Sequence, residues 1–131
     1  MKVFEPIPVE IETIAKTIAD AAFKVHRALG PGLLESVYEL CLAHELRRRE
    51  VQLESQVKLP ITYEGLTTDA GLRLDIIVAR QVIVEVKAVE KMNPVFDAQL
   101  LTYLKLTGLR LGMLINFNVP LIKDGIKRIV L

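Results

Sequence analysis

Asp75, Glu85 and Lys87 are the only charged residues in two short apolar runs, 74–78 and 82–87. Both runs are rich in Val and Ile, the residues that favour strands. Carboxylates and an ammonium group among such residues are costly to bury unless they pair with one another or hold a cation. Such an expense points to chemistry. The carboxylates would hold a hard divalent ion.

Strand register brings the three together. With Ala79-Arg80-Gln81 as the loop, Val78 faces Val82, Ile76 faces Val84 and Leu74 faces Val86, giving one apolar face. The same register sets Asp75 opposite Glu85 on the other face, with Lys87 two residues further on. Like charges directly opposite repel, and a divalent cation between them reverses the sign. Hard carboxylate oxygens match Mg²⁺, with Mn²⁺ as the alternative.

The elements around this hairpin follow from periodicity. Ile11, Ile14, Ala15, Ile18, Ala22, Val25 and Leu29 repeat at helical spacing, and Gly30-Pro31 stops that helix. A second helix is predicted over about 33–49. Val57, Leu59, Ile61 and Tyr63 alternate as a strand closed by Glu64-Gly65. Asn93-Pro94 opens a helix that runs to about Thr107, with Gly108 as its stop. Residues 111–117 form an apolar strand, and 126–130 a short final one. The first three strands make an antiparallel meander. The helix at 94–107 is a crossover that lets strand 111–117 lie parallel to strand 82–88. The expected class is α/β, a mixed sheet flanked by helices.

At 131 residues, 51% hydrophobic and 25% charged, the chain is long enough for one packed domain. The expected division is an N-terminal arm, 1–8, and a single domain, 9–131. A net charge of +1 gives no broad basic field of the kind that marks non-specific nucleic-acid binders. Arg47, Arg48 and Arg49, and Lys123, Lys127 and Arg128, are the local basic groups; solvated element ends are the favoured reading. The single cysteine, Cys41, excludes an intrachain disulfide and reads as a core residue. His26 and His44 lack ligand spacing. Gly30-Pro31-Gly32 lacks the Lys-Ser/Thr ending of a phosphate loop. The N-terminus shows no signal-peptide pattern, so a cytoplasmic location is expected.

The order of elements, with Asp75 and the Glu85-Val86-Lys87 triplet, resembles the PD-(D/E)XK nuclease superfamily, whose core is the restriction-endonuclease-like fold. Gly32-Leu33-Leu34-Glu35-Ser36-Val37-Tyr38 fits the pattern that names the GxxExxY branch. Gln99-Leu100-Leu101-Thr102-Tyr103 looks like the Q-x-x-x-Y helix motif of RecB-like nucleases. Leu114-Ile115-Asn116-Phe117 and the 123–128 segment also look like that family. The resemblance spans roughly 9–130. One departure is that Leu74, rather than Pro, precedes Asp75.

The resemblance implies a nuclease dependent on Mg²⁺ or Mn²⁺ that hydrolyses phosphodiester bonds in nucleic acid, DNA foremost. Glu35, Asp75 and Glu85 would hold the metal. Lys87 would position or deprotonate the attacking water. Gln99 would contact the scissile region or the lysine, and Tyr103 a phosphate. Tyr38 would position Glu35. The plain alternatives are a helix-start glutamate favoured by the macrodipole at Glu35, core tyrosines at 38 and 103, and a polar cap at Gln99. A homodimer would enlarge the small surface available to a duplex. The competing reading is a catalytically silent module of the same fold that binds nucleic acid or a protein partner.

Overall fold

A computed structural model describes residues 5–131, apart from the side chain of Ala70. Residues 1–4, half of the expected N-terminal arm, lie outside the described residues.

The first helix, α1 (Val9–Leu29), buries Ile11, Ala15, Ile18, Ala22 and Val25, the stripe that the periodicity marks. Gly30 ends it at φ 71°, and its amide donates to His26 O. The next helix, α2 (Glu35–Arg48), buries Tyr38, Leu42, Ala43 and Leu46. Tyr38 ties the two helices' connection together. Its hydroxyl donates to Gly30 O at 2.6 Å and accepts from Leu33 N at 3.0 Å. Its ring stacks on Phe117 with centroids 4.7 Å apart.

Five strands follow in spatial order β1-β2-β3-β4-β5: β1 (Leu53–Tyr63), β2 (Leu66–Val78), β3 (Val82–Lys87), β4 (Leu111–Asn116) and β5 (Ile126–Val130). The β3–β4 pair is parallel and the other pairs are antiparallel. The crossover between the parallel strands is α3 (Pro94–Thr107). Asn93 caps it by accepting the Val95 amide at 2.9 Å, and Gly108 ends it in the left-handed region. A short 3₁₀ turn, Ile122–Gly125, precedes β5.

Helices α1 and α2 cover one face of the sheet, packing on Val82, Val84, Val86, Met113 and Ile115. Helix α3 covers the other through Leu100, Tyr103 and Leu104, which pack on Ile83 and Leu114. Gly112 permits that approach, since a Cβ there would meet Leu100 at 2.8 Å. Cys41 is half-buried against the α1–α2 side, as expected of a core residue.

Two findings alter the expected hairpin. Strands β1 and β2 extend much further than the hydrophobic pattern indicated, because their outer halves form a two-stranded ribbon with little buried surface to impose alternation. The face assignment of Leu74 is also corrected. Ile76 and Val78 face the α1–α2 core as expected, but Leu74 packs on the α3 side. On β1, Leu53 faces α1–α2 while Val57 faces α3, although regular alternation would put both on one face. Both strands therefore turn over at the same place, where Gln56 lies across from Asp75 between the pairs Ser55–Ile76 and Val57–Leu74. Gln56 has a left-handed backbone, φ 52°, which breaks the pleat there.

Candidate active site

Strand switching at Asp75 opens the sheet. Strands β2 and β3 pair from Val78–Val82 through Ile76–Val84. Beyond that point side chains replace ladder bonds. The Asp75 amide donates to Glu85 Oε2 at 3.0 Å, and the Val86 amide donates to Asp75 Oδ2 at 2.9 Å. The two carboxylates thus lie together, as the register required, in a gap between strands rather than on a flat sheet face.

Glu85 is 6% exposed. Desolvation first, and then the charge of Asp75, push its carboxyl up to about 8, against the opposing pull of Lys87. No cation forms an ion pair with Asp75 or Glu85 among the described residues. The Lys87 ammonium lies 4.4 Å from the centre of the Phe96 ring, on α3, in a cation–π contact. Phe96 thereby fixes the lysine near the carboxylates without neutralising them.

A third carboxylate reaches the gap, and it is Glu39, which sequence reasoning missed. Burial, the Asp75 charge and a hydrogen bond shared with Asp75 raise its carboxyl to about 7. Gln56 Nε2 donates to both Glu39 oxygens at 2.8 Å, so the left-handed residue on β1 holds the α2 acid beside Asp75. The available signal was helical spacing: Glu39 lies one turn after Glu35 on the same face. Glu35 itself is exposed at the start of α2 and adds its charge to the field at Glu39.

On the opposite side, Tyr103 is buried in the α3 core, and its phenol is raised above the usual value by burial and by the charges of Glu85 and Asp75. Gln99, one turn earlier, is exposed, and its side chain makes no hydrogen bond among the described residues. The structure therefore brings Asp75, Glu85, Lys87 and Tyr103 together, places Glu35 near Glu39 at the start of α2, leaves Gln99 exposed on α3, and commits Tyr38 to the α1–α2 connection. Asn116, beside Lys87 on β4, fixes the backbone leaving β3: its side chain accepts from Val89 N and donates to Val89 O.

No group of three acidic, His or Cys residues is arranged as a metal-holding cluster among the described residues. The donor chemistry nevertheless fits a hard divalent cation. Mg²⁺ is commonly held by one or two carboxylates, with waters and substrate phosphate completing its shell. Asp75 and Glu85 supply that pair, and burial with the Asp75 charge raises the carboxyls of Glu85 and Glu39, a repulsion that a cation would relieve.

Several of the remaining basic residues are engaged elsewhere. Lys24, Arg48 and Arg49 lie 2.9–3.4 Å from Glu45. Lys127 pairs with Asp97, and Arg128 with Glu12. His26 contacts Val119 O at 2.7 Å.

A mixed sheet with one parallel pair, flanked by helices and carrying its acids at a splayed strand junction, is of the restriction-endonuclease-like α/β class. Residues 12–129 match the family model described as the PD-(D/E)XK nuclease superfamily, and the chain belongs to that superfamily. No curated protein and no solved structure gives a match. Membership points to nuclease activity, a nucleic-acid substrate and divalent-metal chemistry. No helix among the described residues is long and apolar enough to cross a membrane.

Proposed function

We propose that this protein is a Mg²⁺-dependent phosphodiesterase acting on DNA, with Mn²⁺ able to substitute. The observation that carries this reading is the group of carboxylates meeting at the β2–β3 gap, with no ion-pair partner among the described residues and with Lys87 alongside. Asp75 and Glu85 would hold the metal, with Glu39 or Glu35 offering a further carboxylate from α2. A bound divalent cation supplies positive charge for the phosphoryl oxygens in the transition state. Lys87 holds the attacking water and offsets developing negative charge. Gln99 and Tyr103 offer polar groups from α3 to the scissile phosphate. Water oxygen bonds to phosphorus, the bridging P–O bond breaks, and the leaving oxygen takes up a proton.

The Gly32–Tyr38 pattern supports membership of the GxxExxY branch. We assign residues 9–131 to one nuclease-like domain preceded by an arm at 1–8, acting in the cytoplasm, with a homodimer supplying a longer groove. A net charge of only +1 favours a second reading, a silent nuclease-fold module that binds nucleic acid or a protein partner. Cleavage of single- and double-stranded DNA and RNA with Mg²⁺ or Mn²⁺, beside Asp75→Asn, separates the two. Metal-dependent cleavage by the wild type alone supports the enzyme. Oligonucleotide binding without cleavage in either metal supports the module.

A further inference from the structure

The β1–β2 ribbon carries two cations face to face. Lys58 and Arg73 are direct register partners. Like charges in that position repel one another. Both residues are exposed, and neither side chain takes part in an ion pair or hydrogen bond among the described residues. Asp69 lines the same hollow of about 510 Å³, together with Gly71 and Leu72, but among the described residues it makes no ion pair with either cation. Other basic side chains, including Lys24, Arg48, Arg80 and Arg128, do reach carboxylates.

Placement gives this pair a use. Val57 and Leu74 pack toward α3, so their neighbours Lys58 and Arg73 project from the opposite face, the side of α2. Gln56 reaches Glu39 of α2 from that side. Lys58 and Arg73 stand two residues beyond Gln56 and Asp75, roughly 7 Å along the ribbon at about 3.3 Å per residue. A polyanion approaching the site meets the acidic side chains of Glu35, Glu39, Asp75 and Glu85, a field that grows as Glu39 and Glu85 ionise. Adjacent fixed cations are what would hold it there against that field.

We propose that Lys58 and Arg73 form a phosphate clamp that grips the nucleic-acid backbone beside the phosphodiester to be cut. The clamp rests on the nuclease reading above. An anion between the two side chains turns their mutual repulsion into shared attraction, and phosphate contacts of this kind position a strand without reading its sequence.

The test is fluorescence anisotropy of end-labelled single- and double-stranded oligonucleotides in EDTA, between about 50 and 200 mM salt. The Lys58→Ala/Arg73→Ala double variant is expected to bind about 10-fold more weakly at low salt, whatever the sequence. Its slope of log affinity against log salt is expected to be shallower by about 2, one per lost phosphate contact. Lys58→Glu places an opposite charge across from Arg73, so it should raise the melting temperature while weakening binding. A merely structural pair would not move those two readouts in opposite directions. Wild-type binding with an unaltered double variant overturns the clamp alone. A wild type that binds no oligonucleotide overturns the clamp together with the nucleic-acid reading.

Discussion

The Asp75 amide donates to the Glu85 carboxylate at 3.0 Å, while the Asp75 carboxylate accepts the Val86 amide at 2.9 Å. Each acid thus closes the strand gap that the other helps to open. Site and fold share these atoms, so truncation and isosteric replacement should have different effects. Asp75→Ala leaves the Val86 amide without its acceptor and should cost about 1–3 kcal/mol in urea unfolding. Asp75→Asn keeps a carbonyl acceptor and should stay within about 1 kcal/mol of wild type. Both should lose Mn²⁺ binding by calorimetry. An Asn variant that binds Mn²⁺ like the wild type removes Asp75 from the metal set.

Glu85 and Glu39 set a pH dependence. Their carboxyls stand at about 8 and about 7 in the folded chain, above the ordinary 4.5. Between 4.5 and those values the folded protein retains protons that the unfolded chain has released. Stability must then fall as pH rises through that window. In EDTA the melting temperature should drop from pH 5 to pH 8.5 by at least about 5 °C. Divalent metal favours the ionised carboxylates, so Mg²⁺ or Mn²⁺ should recover most of the loss at the alkaline end. Glu85→Gln should flatten the metal-free profile. A profile that rises with pH in EDTA contradicts the raised carboxyls of Glu85 and Glu39.

Gln56 separates strain from positioning. Its φ of 52° is costly for a side-chain-bearing residue, and its amide grips both Glu39 oxygens. Gln56→Gly relieves the backbone and Gln56→Ala does not, so the Gly variant should be more stable by up to about 1 kcal/mol. Both release Glu39 and should lose similar amounts of metal affinity and cleavage. Full activity in the Ala variant would limit Gln56 to a structural role.

Tyr38 provides a contrasting case. Its hydroxyl bonds to Gly30 and Leu33, away from the carboxylates. Tyr38→Phe should therefore cost about 1–3 kcal/mol in stability and leave metal affinity unchanged where the protein is folded. A loss of metal affinity without a loss of stability would place Tyr38 in the site after all.

Much of this was legible in the sequence because apolar patterning is strong where burial is complete. The α1 stripe, the Asn93 cap, the Gly108 stop and the Ile76–Val84 register all follow from it. Asp75, Glu85 and Lys87 stood out because they interrupt such patterns. The pattern could not report the turnover at Gln56, where a left-handed residue changes which face Leu74 occupies. It was also weak in the outer ribbon, whose faces bury little. Glu39 escaped notice because a glutamate on a helix surface is common, and only its contacts with Gln56 and Asp75 distinguish it.

The proposed hydrolytic centre depends on Lys87 beside the paired acids. Single-turnover cleavage of labelled DNA in Mg²⁺ by wild type and Lys87→Ala tests it, with thermal melts confirming that both are folded. Metal-dependent cleavage by the wild type is expected, reduced at least about 100-fold in the variant. Equal cleavage by the two folded proteins would remove Lys87 from the chemistry.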